Sequence, residues 1–189
     1  MRTLTFKAIM SQAPVGVLSV LAAAEQLKKV PRVGWITEAG IEHPESVADH
    51  SYAVALISMV IADYYNLDGC KMIKMALLHD LCESLTGDIQ PGDTTYKKKH
   101  ETERRALSVI LKSLPLNLSK EYLALFDEFN QNESKEAKFV HQLDKVEMAA
   151  QAVEYSKTIK RDLGGFFNKA DKETTEPNLK SILHALISK

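Results

Sequence analysis

The chain has 189 residues, 45% hydrophobic and 26% charged, enough apolar material for one ordinary globular core. Its 24 Lys and Arg against 25 Asp and Glu leave a formal charge of -1, which excludes the electrostatic footprint of a nucleic-acid polymer binder and makes a small molecule the expected partner. Two cysteines, Cys70 and Cys82, give neither a disulfide framework nor a zinc knuckle, so a reducing, cytoplasmic setting is expected.

Residues 1–13 read as a loosely attached lead. The apolar run Val15 to Ala24, preceded by Arg2 and Lys7, crudely resembles a secretory signal. However, Ser11, Gln12 and Pro14 interrupt its approach, and it passes straight into Glu25-Gln26-Leu27-Lys28-Lys29, as a core helix with a charged last turn does. The run is too short to span a bilayer. Ser46 with Asp49 forms a capping-type start for a helix from Val47 to about Asn66, with apolar residues at Val54, Ile57, Val60 and Ile61. Leu67-Asp68-Gly69 breaks it. The next helix runs from Lys71 to about Cys82, followed by a Gly-, Pro-, Asp- and Thr-rich loop from Thr86 to Thr95.

Lys97 to Leu114 makes a further helix, whose three lysines are neutralised locally by Glu101 and Glu103. A short helix follows from Leu118 to about Phe129. The longest spans Ser134 to about Arg161, with Phe139, Val140, Leu143, Val146 and Ala150 at helical spacing, and Leu163-Gly164-Gly165 is read as its stop. Asn178 to Leu186 closes the chain. With no useful strand alternation and no repeats, the expected class is all-α, one domain over 1–189.

The densest chemistry lies in His79-Asp80-Leu81-Cys82-Glu83 through Asp88. Divalent first-row metals take imidazole nitrogen and carboxylate oxygen together. Two neutral histidines with two carboxylates would neutralise such an ion. Neighbouring helical residues diverge by roughly 100°, so His79 and Asp80 share an ion only if it lies between their directions. His50, on a strongly apolar helix, is the best further donor, and Asp144, among inward-facing apolar residues, the best further acid. Cys82 reads as a small buried hydrophobe, since no base is assigned to it. Arg32 can grip a phosphate and Trp35 can pack against a sugar or base. Taken alone, Pro31-Arg32 is equally an exposed turn and the single Trp equally a core residue.

In this order His50, His79-Asp80 and Asp144 resemble the H…HD…D signature of HD-domain metal-dependent phosphohydrolases. Arg32-Val33-Gly34-Trp35, His43 to His50, Glu83 with Thr86-Gly87-Asp88, and Ala137 to Asp144 resemble more narrowly the 5′-deoxynucleotidase branch, which includes the HD domain-containing protein 2 group. That resemblance implies a compact helical bundle with its metal-site core at about 46–150. It also implies one divalent ion per chain (manganese, cobalt or magnesium) held by His50, His79, Asp80 and Asp144. The implied substrate is a deoxyribonucleoside 5′-monophosphate, and the implied assembly a homodimer with no membrane partner. Glu83 matches the family's catalytic acid, and its i, i+4 spacing from His79 would put both on one helix face. Asp88 matches a second acid of the active site. Bacterial members set Arg directly before Trp; here Gly34 fills that place, and the phosphate role passes to Arg32. A different nucleotide ester, cyclic or alarmone-like, and a non-catalytic nucleotide-sensing module are the alternatives that the sequence leaves open.

Overall fold

Side chains and tight turns fix where each helix starts and stops in the computed structural model, which describes residues 15–89 and 96–188. The expected lead and most of the Gly/Pro loop lie outside the described residues. Helix α1 spans Val15–Leu27, and α2, a five-residue turn at Val33–Thr37, was not foreseen. Helix α3 spans Val47–Tyr65 and opens on a capping box. The Ser46 hydroxyl accepts from Asp49 N–H while the Asp49 carboxylate accepts from Ser46 N–H. Asn66, in the left-handed region, ends it. Asp68 caps α4, Gly69–Leu78, by accepting from Lys71 N–H.

Helix α4 stops four residues earlier than its pattern suggests. Residues 79–82 continue as turns bonded three residues back, with Leu81 N–H donating to Leu78 O and Glu83 N–H to Asp80 O. The one-turn α5 follows at Glu83–Thr86. Helix α6 is Tyr96–Leu111, α7 is Leu116–Gln131 and α8 is Lys135–Ser156. The chain then turns and enters α9, Gly164–Glu173, and α10, Pro177–Ile187.

Two boundaries differ from the sequence pattern for a tertiary reason. Ile159 and Leu163 fold back onto the cluster around Trp35, so α8 ends before Arg161. Gly164-Gly165, read as a stop, instead opens α9, with Asp162 accepting from Gly164 N–H. The all-α expectation holds: the described residues are helical, with one isolated antiparallel bridge between Pro31 and Ser46. No described helix is long and apolar enough to cross a membrane.

Three apolar clusters meet around the site. Val54, Met72, Met75, Val140 and Leu143 join α3, α4 and α8. Leu27, Val47, Leu81, Leu107 and Phe126 join α1, α3, α6 and α7. Trp35, Val146, Leu163, Phe166 and Leu183 gather the C-terminal helices. The bridge pins the segment before α2 against the start of α3, through Arg32 N–H to Glu45 O and Val47 N–H to Val30 O.

Candidate functional site

His50 sits one turn into α3, His79 at the C-terminal cap of α4, Asp80 one residue beyond, and Asp144 mid-way along α8. The fold brings all four together. His79 Nε2 is 3.1 Å from Asp80 Oδ2, His50 Nε2 is 3.2 Å from Asp144 Oδ1 and 3.9 Å from Asp80 Oδ2. The break after Leu78 matters here, because Asp80 lies at the partially negative end of α4, where a cation is favoured.

Both ring Nδ1 atoms are engaged elsewhere. His79 Nδ1–H donates to Ala76 O at 2.7 Å, and His50 Nδ1–H to Glu147 Oε2 at 2.5 Å. Both Nε2 atoms are buried and lack a hydrogen bond. Two imidazole nitrogens without a hydrogen bond, converging on a carboxylate, are costly unless a proton or a cation occupies their lone pairs. A divalent ion fits: His50, His79 and Asp80 offer ligand atoms all within 4.8 Å of one another, and the Asp144 carboxylate is adjacent.

Burial pushes the acids up and nearby cations oppose it. For Asp80 the attraction of His79, His50 and Arg32 outweighs burial and holds the carboxyl well below its usual range. Asp144 is likewise lowered, with Lys145 and His50 overcoming burial. Burial and Arg32 pull His50 down, but the carboxylates of Asp144 and Glu147 win and raise it to about 9. Glu83 goes the other way. Burial, then Asp80 and Asp88, push it up to about 10, and its Oε2 has no hydrogen-bond partner.

Asp80, Asp144 and Glu83 line one cleft with an empty volume of about 750 Å³, mouth included, to which Arg32, Asp88, Lys99 and Lys145 also contribute. Glu83 reaches it beside Asp80 rather than along an unbroken helix face with His79, since the chain tightens between them. Arg32 Nη1 is 3.7 Å from Asp80 Oδ2, and Asp88 Oδ2 accepts from Val33 N–H at 2.7 Å, tying the loop after α5 to α2.

The model of the HD domain family matches residues 24–185. The chain belongs to the HD domain family. Mouse "5′-deoxynucleotidase HDDC2" is 45% identical over 147 residues, covering 77% of this chain and 72% of the mouse protein. The Xenopus laevis protein of that name is 38% identical and covers 93% and 88% respectively. Among solved structures, a conserved hypothetical protein from Pyrococcus furiosus superposes with a TM-score of 0.75 at 30% identity, over 91% of this chain and 99% of that one.

Within this HD domain, Trp35 is placed differently from an open stacking platform. It is 1% exposed, its Nε1–H donates to Glu45 Oε1 at 2.9 Å, Phe166 stacks on it at 4.3 Å, and Tyr155 meets it edge-on. A base could use that face only by displacing Phe166. The HD-domain site also contains residues the sequence reading passed over. Glu45 and Glu147 lie around His50, Lys145 donates to Asp144 Oδ2 at 2.9 Å, and Phe166 and Lys169 of α9 form part of the wall. Glu147 did leave a signal: it is an acid one turn after Asp144 on a helix whose neighbouring positions, Leu143 and Val146, are apolar.

Proposed function

We propose that this protein is a divalent-metal-dependent phosphomonoesterase that hydrolyses deoxyribonucleoside 5′-monophosphates to the deoxynucleoside and phosphate. The observation that carries the reading is the pair of buried His50 and His79 Nε2 atoms, without hydrogen bonds, facing Asp80, which lines a cleft together with Glu83 and Arg32. Relatives named 5′-deoxynucleotidase, similar over most of their length, support the substrate class.

In this reading His50, His79, Asp80 and Asp144 hold one ion: manganese, cobalt or magnesium. When bound, the ion supplies Lewis-acid polarisation of a phosphoryl oxygen and of water. Glu83, beside Asp80 in the cleft, would take a proton from the attacking water where a bound cation's charge offsets the burial and the Asp80 and Asp88 charges that otherwise hold it protonated. Water oxygen bonds to phosphorus as the bond to the 5′ oxygen breaks, and that oxygen leaves as the deoxynucleoside hydroxyl by taking up the proton that Glu83 received. Arg32 offsets the phosphate charge. Asp88, with one oxygen on Val33 N–H, offers its other oxygen to a sugar hydroxyl or water. Trp35 acts from inside the wall, holding Glu45 beside Arg32.

The protein is proposed to work in the cytoplasm, as one domain per chain and as a homodimer. Two free cysteines fit that compartment, and an exposed apolar stripe on α3, Tyr52, Leu56, Met59, Val60 and Tyr64, fits self-association. The test is a phosphate-release panel with added Mn²⁺, Co²⁺ or Mg²⁺ across deoxy- and ribonucleoside 5′-monophosphates and a cyclic phosphodiester. Chelator-sensitive release favouring the deoxy monoesters is expected. Preference for the diester, or no release with any ion, overturns the proposal, and light scattering at the mass of one chain overturns the dimer.

A further inference from the structure

One turn of α8 grips the His50 ring from both sides. Asp144 faces Nε2 at 3.2 Å, and Glu147, three residues on, meets Nδ1 at 2.5 Å. Glu147 is 8% exposed, and a carboxylate so buried is unfavourable unless a partner compensates it. That partner is the His50 ring, itself fully buried. Glu45 lies close to the same pair, and its Oε1 accepts from Trp35 Nε1–H and stands 4.0 Å from Arg32 Nε. Within the close group Glu45, His50 and Glu147, Nδ1–H of His50 donates to Glu147, which leaves that nitrogen no lone pair for a cation.

From this we infer that Glu147 is a positioning residue: its carboxylate holds the neutral His50 ring in the tautomer protonated on Nδ1, so that Nε2 is the nitrogen left to face the ion. His79 gets the same service from a backbone carbonyl, Ala76 O, which no substitution removes. Only the His50 side is exposed to mutation. A carboxylate partner also makes the ring a stronger donor than a neutral one would. Glu147 touches neither substrate nor reacting atoms in this account, so its effect falls on ion affinity.

The inference rests on the metal reading above, and the test separates the two. Chelator-treated wild type, Glu147→Ala, Glu147→Gln and Glu147→Asp are titrated with Mn²⁺, free ion being counted by electron paramagnetic resonance. Wild type binds about one ion. Glu147→Ala weakens the Kd about 10- to 100-fold. Glu147→Gln, whose amide oxygen still accepts from Nδ1–H, stays within about fivefold. Turnover of the Ala variant at saturating Mn²⁺ returns to within about threefold of wild type, which a catalytic residue would not allow. If Glu147→Ala does not fold, Glu147→Asp, which keeps the charge but shortens the reach, stands in for it with a loss of about fivefold or more. A wild-type Kd in the Ala or Asp variant, or a Gln variant no better than Ala, overturns the positioning role while leaving the metal site intact. Absence of binding by wild type overturns the metal reading and this inference with it.

Discussion

Returning Mn²⁺ to chelator-treated protein should raise its Tm, and by more at pH 8 than at pH 7. At 100 times the Kd an ion that binds only the folded chain adds about 2.7 kcal/mol. For a chain of this length each kcal/mol moves Tm by about 2–4 °C, so a rise of about 5–11 °C is expected. The pH term follows from His50, raised to about 9 in the ion-free protein from an ordinary 6.5. A proton on that ring stabilises the ion-free fold fully below about 6.5, and the stabilisation is lost as pH climbs through about 9. An ion needs the neutral ring and must displace that proton. From pH 7 to 8 the His50 proton alone therefore moves the balance toward the ion by about 1.4 kcal/mol at fixed Mn²⁺, adding about 3–6 °C to the shift, and any proton that Glu83 releases acts in the same direction. Differential scanning fluorimetry at both pH values, with Asp144→Asn as the variant expected to lose most of the response, measures this. An unchanged Tm on adding Mn²⁺, or a shift that shrinks from pH 7 to 8, refutes the reasoning.

Glu83→Gln keeps the side chain's size and should lower kcat by about 10²- to 10⁴-fold while leaving the Mn²⁺ Kd within about threefold; near-normal turnover would remove Glu83 from proton transfer. Trp35→Ala, which empties a fully packed site between Phe166 and Tyr155, should cost about 3–5 kcal/mol in urea unfolding, and a loss under about 1 kcal/mol would contradict its burial. Burial, then Glu103 and Asp80, drives the Cys82 thiol far above its ordinary value. Iodoacetamide should therefore leave the activity of the folded protein intact, and inactivation that tracks labelling of Cys82 would reopen a role for it.

The four proposed ligands were legible because each breaks a local pattern: an imidazole or a carboxylate interrupts an apolar helix face, and their order along the chain is distinctive. The capping box at Ser46 and Asp49 was equally plain, since its signal lies within four residues. Features set by distant contacts were not. Nothing near Gly164-Gly165 announces a helix, because α9 is held by the packing of Phe166 and Ala170 into the Trp35 cluster. The early end of α8 has the same cause. The break at His79 was hidden because His79 and Cys82 keep right-handed backbone angles while the hydrogen bonds close three residues back instead of four. Trp35 could be read as core or as contact surface until Phe166, 131 positions later, was found lying on it.

The placement of α9 divides the chain's labour in an unexpected way. The four ligand positions fall between residues 50 and 144, while Met148, Phe166 and Lys169, which shape the far wall, come after them. Part of the cleft's shape is thus written after the last of these positions, while Arg32 and Asp88 contribute from before and between them. Drift or redesign around Phe166 and Lys169 of α9 would reshape that side of the cleft while leaving His50, His79, Asp80 and Asp144 unchanged, giving this architecture a modular route to new substrates.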